Sequence, residues 1–110
     1  MTYEDFRRLA MDATEFDNLD DYIAGVGGSV PSSVSDADLI RVLTDCYVYG
    51  NDPTAETIRK LSGFSRAAFA RDYNLPLRTL ENWEGHGASA RTAPPYVLDL
   101  LAYAVIMSRE

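Results

Sequence analysis

The chain has 110 residues, a net charge of −7 at neutral pH and an apolar fraction of 46%, values that suit one globular domain with a modest core. It has no apolar stretch long enough to span a bilayer, and it begins with acidic residues where a signal peptide would be basic, so we expect a cytoplasmic protein with no membrane association. With one cysteine, Cys46, and one histidine, His86, the chain has neither an internal disulfide nor a His/Cys metal cluster.

Charge is distributed unevenly along the chain. Residues 1–53 carry three basic against eleven acidic residues, a net charge of −8, whereas residues 54–110 carry seven against six, a net charge of +1. We therefore predict an acidic N-terminal region over 1–53, used for dimerisation or partner binding, and a second domain over 54–110. The acidic total disfavours general attraction to nucleic acid, so DNA affinity would depend on the placement of a few arginines.

The first two helices are predicted from capping residues and apolar spacing. Thr2 is a typical N-cap for a helix over 3–13, and a second helix is predicted over 15–25. The stretch 25–35 is rich in glycine and serine and is predicted to be a loop.

A third helix is predicted to begin after Ser35 and to end at the stretch 50–53, which contains glycine and proline. Its predicted core stripe consists of Leu39, Val42, Leu43, Cys46 and Tyr47. We interpret Cys46 as a small buried hydrophobic residue, not a nucleophile, and Tyr49 as a surface residue.

Two short helices joined by a tight turn are predicted within SRAAFARDYNLPLRTLENWE, residues 65–84. They follow a short fourth helix, which Thr54 caps and Gly63 ends, and Ser65 caps the next one. In the turn, Asn74 is a residue type that tolerates the left-handed conformation. Pro76 pushes the preceding residue out of the helical region and suits the first turn of the following helix.

The last predicted helix, PYVLDLLAYAVIMS, carries a single charge, Asp99, and has Pro95 at its first position. A helix that is apolar nearly all round must be covered on more than one side. Two interpretations remain open, a core helix between the two parts of the chain and a symmetric dimer contact. Because no run alternates as a strand would and no repeat is visible, we predict an all-α compact helical bundle.

The sequence TIRKLSGFSRAAFARDYNLPLRTLENWE, followed by APPYVLDLLAYAV, resembles the lambda repressor-like helix-turn-helix domain. That fold occurs in phage repressors, in regulators of the xenobiotic-response-element type and in antitoxins that bind both DNA and a toxin. The resemblance covers about residues 54–106. It implies that the two short helices are held by five buried residues, Phe69, Ala70, Leu75, Leu80 and Trp83.

The resemblance also implies a DNA-contacting surface. Arg66 matches a position near the DNA backbone, and Leu77, Arg78 and Asn82 match the exposed face of the recognition helix. These side chains have suitable chemistry, because arginine can bind guanine in bidentate fashion, asparagine can bind adenine, and leucine can touch a thymine methyl group.

Three features depart from the family pattern. Pro76 stands where the family often has a capping Ser or Thr, which would also touch a phosphate. Glu81 adds a negative charge to the reading face, where it could orient Arg78, accept from a cytosine amine or repel phosphate. The loop over 85–92 is longer than expected. Its Arg91 could reach a phosphate or the minor groove, or belong to a plain flexible loop.

No catalytic arrangement of residues is visible, so we expect no enzyme, no cofactor and no metal. The acidic residues Asp17, Asp20 and Asp21 lack the spacing of a calcium loop and are interpreted as a solvated face.

Three hypotheses for the function follow. The first is a sequence-specific DNA-binding regulator or antitoxin-like repressor, acting as a homodimer on a palindromic site. The second is an acidic protein-interaction module that inhibits a toxin or another partner, and the third is a helical fold in which the motif residues are inert.

Overall fold

The computed structural model describes residues 1–85 and 92–108. Over these ranges the chain forms α-helices and no strand, which confirms the all-α prediction. The helices are α1 (Tyr3–Asp12), α2 (Leu19–Val26), α3 (Asp36–Asn51), α4 (Ala55–Ser62), α5 (Arg66–Asp72), α6 (Leu77–Glu84) and α7 (Pro95–Ser108). Short 3-10 turns follow α1 and α2, at Ala13–Glu15 and Gly27–Ser29.

Side-chain caps begin four of these helices where the sequence predicts them. In each case a hydroxyl oxygen accepts the backbone N–H three residues later at 3.1 to 3.3 Å. The capping residues are Thr2, Ser35, Thr54 and Ser65. Because each cap satisfies a backbone donor that the helix leaves unpaired, these starts are encoded locally.

Helix α6 begins without such a cap. Pro76 precedes its first residue in an extended conformation, with ψ 131°, and offers no side-chain acceptor. The predicted absence of a cap is therefore confirmed, whereas the prediction that Pro76 lies within the first turn is wrong by one residue. Pro95, in contrast, is the first residue of α7, as predicted.

One predicted boundary in the N-terminal part is wrong. Helix α2 begins at Leu19 and not near residue 15, because the Asn18 side chain accepts the Asp21 N–H at 2.9 Å and caps the helix there. Helix α3 ends at Asn51, within the stretch 50–53 predicted to end it. A Cβ on Gly50 would meet the carbonyl oxygen of Ala10 and would lie 2.7 Å from the Ala13 Cβ. This glycine lets α3 cross α1 closely.

Aromatic side chains fill the space between α1, α3 and α7. The ring centroid of Phe6 lies 5.9 Å from that of Tyr49 and 5.7 Å from that of Tyr103. Tyr49 is only 2% exposed, so its prediction as a surface residue is wrong. Its hydroxyl can be buried because it donates a hydrogen bond to Asp99 at 2.7 Å.

Cys46 also lies in this core, as predicted. Its side chain is fully buried, and that burial raises the pKa of the thiol to about 12. Of its stripe neighbours, Val42 and Leu43 are buried, whereas Leu39 and Tyr47 are partly buried and pack against the core.

Helix α7 packs against α1, α3 and α4, and so lies between the two parts of the chain. This agrees with the interpretation of α7 as a core helix. Its outer side still exposes Tyr96 and Leu100, by 66% and 51%. The buried apolar residues of both parts form one cluster. The net charge of the chain changes at residue 53, but the core is continuous across that position. The division into two domains stays a prediction. Within the described residues, no helix is both long and apolar enough to cross a membrane.

Candidate nucleic-acid interface

Helices α5 and α6 are joined by a four-residue turn over 73–76. Asn74 has a φ of 54°, which confirms the predicted left-handed conformation. The next residue returns to the first helix, since the Leu75 N–H donates to the carbonyl of Ala70 at 2.8 Å. The turn therefore fixes α6 relative to α5 through backbone conformation and a backbone hydrogen bond.

Helix α6 has one exposed side and one packed side. At 100° per residue, Leu77, Glu81, Arg78 and Asn82 fall on a single arc, and all four are exposed. Leu80 and Glu84 are buried on the adjoining part of the helix, with Glu84 bordering Leu77, and Trp83 packs against the core while remaining partly exposed. The structure thus exposes the predicted reading residues together and places Trp83 at the edge of the core, not inside it.

Of the other residues matched to buried family positions, two are buried and one is partly buried. Phe69 and Ala70 of α5 are buried, as the resemblance implies. Leu75 is only partly buried, although it packs against the same core.

The packed side of α6 contains a buried ion pair that the sequence interpretation missed. The Glu84 side chain is 1% exposed, and its carboxylate accepts hydrogen bonds from the Arg59 Nε, at 2.9 Å to Oε2 and 3.1 Å to Oε1, and from Nη2 at 3.0 Å. Arg66 adds a third donor, its Nε lying 3.3 Å from Glu84 Oε1. The hydrogen bonds from Arg59 to this carboxylate raise the pKa of Arg59. We call Arg59, Arg66 and Glu84 the Glu84 cluster.

One signal in the sequence could have indicated this cluster. Glu84 lies four residues after Leu80, on the apolar side of the helix, where a carboxylate requires a cationic partner. Helical spacing does not identify that partner, because Arg59 lies 25 residues away on α4.

Arg66 connects the Glu84 cluster to the exposed side. Its side chain is 54% exposed, and together with Leu77 and Glu81 it lines an open depression of about 630 Å³ between the starts of α5 and α6. Arg78 and Asn82 are exposed beside this depression without lining it. The remaining predicted contact, Arg91, lies outside the described residues.

The local charge is weakly positive. The arginines at 59, 66 and 78 and the glutamates at 81 and 84 leave one net positive charge on and beneath this surface. Among residues 1–85 and 92–108, no cluster of three or more His, Cys, Asp or Glu side chains could hold a metal ion. On α6 the described part of the surface offers the guanidinium of Arg78, the carboxylate of Glu81, the amide of Asn82 and the apolar side chain of Leu77, and Arg66 of α5 adds a second guanidinium.

Comparison of the chain with protein-family models, with curated proteins and with solved structures finds no match. The resemblance to the lambda repressor-like domain, over residues 54–106, therefore stays a prediction from the sequence.

Proposed function

We propose that this protein is a sequence-specific DNA-binding regulator that acts in the cytoplasm as a homodimer on a palindromic site. The observation that carries the proposal is the two-sided character of α6. Its four exposed residues have the chemistry of base contacts, and its buried side is fixed by Leu80 and Glu84. The proposed function is binding alone, without a catalytic step, cofactor or metal.

Each exposed residue of α6 has a role in the proposal. Arg78 donates two hydrogen bonds to guanine, and Asn82 exchanges hydrogen bonds with adenine. Leu77 contacts a thymine methyl group, and Glu81 accepts from a cytosine amine or disfavours other bases. The major groove admits one α-helix, and these residues share one arc of α6.

Arg66 is assigned to the phosphate backbone. Glu84 accepts a hydrogen bond only from the Nε of Arg66, and no other hydrogen bond joins Arg66 to the described residues. Its terminal nitrogens are therefore available to a phosphate, while the contact with Glu84 restrains the stem of the side chain. Phosphate contacts of this kind set the orientation of a protein on DNA and make affinity sensitive to salt.

The dimer in this proposal uses the outer side of α7. Tyr96 and Leu100 lie four residues apart on the same side of the helix and are both largely exposed. A twofold arrangement of two such surfaces would present two copies of α6 to the two halves of a palindrome.

The test is selection of bound fragments from genomic DNA at low and at moderate salt, followed by affinity measurements on the enriched sequence. We expect Arg78→Ala and Asn82→Ala each to weaken binding by roughly 5- to 150-fold. The matched control is Arg71→Ala, which removes an exposed arginine of α5 outside the depression and should have little effect. Failure to enrich any sequence, or equal losses in Arg71→Ala and Arg78→Ala, would contradict the proposal.

A specific observation also favours the second hypothesis, an acidic interaction module. Asp17, Asp20 and Asp21 are all exposed around the start of α2, and none forms an ion pair with a described residue. In this version the acidic surface binds a basic protein partner and the α6 surface is not used on DNA. A folded protein that enriches no DNA fragment would favour this module over the regulator.

A further inference from the structure

The guanidinium of Arg78 differs from the other cations of the described chain. The seven other basic residues in the described ranges each have a carboxylate oxygen within 3.4 Å. The side chain of Arg78 is exposed and forms no ion pair or hydrogen bond with a described residue. Within the described chain, all of its N–H donors are therefore left for a ligand.

Glu81 is the acidic counterpart of Arg78 on the same helix. Its side chain is exposed, borders the depression between the starts of α5 and α6, and forms no ion pair or hydrogen bond with a described residue. Arg66, which borders the same depression, contacts Glu84 instead. Although side chains three residues apart on a helix are neighbours, Glu81 does not pair with Arg78. A forked donor and a charged acceptor thus stand side by side on α6 without a described partner.

The spacing of Arg78 and Glu81 suits a single base pair. Three residues of an α-helix advance by about 4.5 Å and differ by about 60° in direction. Successive base pairs of DNA are about 3.4 Å apart. From a helix in the major groove, both side chains can therefore reach the same base pair, while Asn82, about 6 Å beyond Arg78 along the axis, is placed for a neighbouring one.

The order of donor and acceptor distinguishes between the two kinds of base pair. In the major groove a G·C pair presents two adjacent acceptors, guanine N7 and O6, followed by the N4 amine of cytosine as a donor. An A·T pair presents acceptor, donor and acceptor in turn, so a guanidinium finds no two adjacent acceptors. A guanidinium with a carboxylate beside it therefore complements G·C and not A·T.

We propose that Arg78 and Glu81 together read one G·C base pair, and that methylation of its cytosine at N4 blocks binding. This inference rests on the DNA-binding function proposed above, and adds which side chains share a base pair and which DNA modification regulates the site. One N4 hydrogen of cytosine is used in pairing with guanine, so a methyl group on N4 must take the other position, in the major groove. The methyl group would replace the donor that Glu81 accepts and would face its carboxylate.

The first measurement is selection of bound DNA fragments by the parent, by Arg78→Ala and by Glu81→Ala. We expect both variants to lose about tenfold in discrimination at the same position of the site, a G·C pair, and less than about twofold elsewhere. The matched control is Glu4→Ala, which removes an exposed glutamate from α1 and should keep the parent's sequence profile. Circular dichroism melting confirms that each variant is folded.

The second measurement uses synthetic copies of the enriched fragment. One copy carries N4-methylcytosine at the position shared by the two variants, and another carries it at a flanking cytosine outside the site. The parent should bind the first copy about tenfold more weakly than the unmodified fragment, and the second copy equally well. In Glu81→Ala, which lacks the carboxylate, methylation at the shared position should weaken binding by less than about twofold.

Three results would overturn this inference while leaving a sequence-specific regulator. One is loss of discrimination at different positions in Arg78→Ala and Glu81→Ala. Another is a uniform gain of affinity for all fragments in Glu81→Ala, which would show that Glu81 only repels phosphate. The last is an equal effect of methylation on the parent and on Glu81→Ala, since the methyl group would then act on the DNA alone. If the parent enriches no fragment, the proposed DNA binding fails and this inference fails with it.

Discussion

The crossing of α1 and α3 and the packing of α6 on α4 are stabilised by different kinds of contact. At the first, two helices approach closely at Gly50, and the rings of Phe6 and Tyr49 fill the adjoining space. At the second, the carboxylate of Glu84 is buried and bound by Arg59 and Arg66. The crossing at Gly50 is therefore held together by shape and aromatic packing, and the packing of α6 on α4 depends on a buried charge. A second buried carboxylate, Asp45, lies elsewhere on α3, 3.4 Å from Arg41.

This difference shows that the net charge of a segment does not reveal what stabilises it. In the N-terminal part, exposed carboxylates such as Asp17 and Asp20 lie at the surface, outside the aromatic core. In the C-terminal part, a single carboxylate matters because it is out of contact with water. A buried charge depends on its partner far more than an exposed one does.

The largest effect is expected from Glu84→Gln. The substitution preserves shape but leaves Arg59, whose side chain is only 16% exposed, without an anion. Breaking a buried pair in this way should lower the free energy of unfolding by about 3 kcal/mol. Urea unfolding gives the value, and Glu81→Gln, on the exposed side of the same helix, should stay within about 0.5 kcal/mol of the parent. If Glu84→Gln lowers the free energy of unfolding by less than about 1 kcal/mol, the packing of α6 on α4 does not depend on the buried charge.

Gly50→Ala tests the close helix crossing. The added Cβ would meet the backbone of α1 at Ala10, so α1 and α3 must move apart, at a cost of about 2 kcal/mol in unfolding free energy. Gly27→Ala is the control, because a Cβ there has no atom within 4 Å and the loss of chain entropy on folding is smaller for alanine. Thermal unfolding should show a lower melting temperature for the first variant alone. Equal melting temperatures would mean that the crossing is not close in solution.

Alkaline pH should lower the free energy of unfolding, because the thiol of Cys46 is buried in the aromatic core. The thiol ionises near pH 9.0 in the unfolded chain, and its pKa is about 12 in the folded protein because of burial. The unfolded state therefore loses its proton first, and stability present below pH 9 is lost as pH rises towards 12. Between pH 8 and 10 the loss should be about 1 kcal/mol. Burial also raises the pKa of Tyr22 and of Tyr49, so Cys46→Ala should still lose some stability over this range. Denaturation at both values should show a loss about 1 kcal/mol smaller in Cys46→Ala than in the parent, and identical pH dependence in the two proteins would contradict it.

The smallest effect on stability is expected from Arg66→Gln. Its side chain is 54% exposed, and Glu84 keeps the hydrogen bonds from Arg59, so unfolding free energy should change by less than about 0.5 kcal/mol. In the proposed DNA complex the same variant should bind more weakly and with a shallower salt dependence. A loss of stability comparable to that in Glu84→Gln would make Arg66 a structural residue of the cluster.

Local signals predicted the features of this fold that depend on local chemistry. Ser35 and Ser65 cap helices where expected, Asn74 adopts the left-handed turn, and Leu77, Arg78 and Asn82 are exposed on α6 as the resemblance implied. The errors have two sources. Helix α2 begins later than predicted because Asn18 caps it, which is a local signal. Tyr49 is buried, and its hydroxyl donates a hydrogen bond to Asp99, 50 residues away. Periodicity contains no information about such a distant partner.

The position of α7 also determines when the protein can complete its core during synthesis. Tyr103 on α7 donates a hydrogen bond to the backbone oxygen of Met1 at 2.7 Å, although 102 positions separate them in the chain. At about 5–20 residues per second, a ribosome needs roughly 5–20 s to make that stretch. Throughout this interval α1 lacks one of the two helices that cover Phe6, so the part of its apolar side that α7 covers is open to chaperones and to other nascent chains.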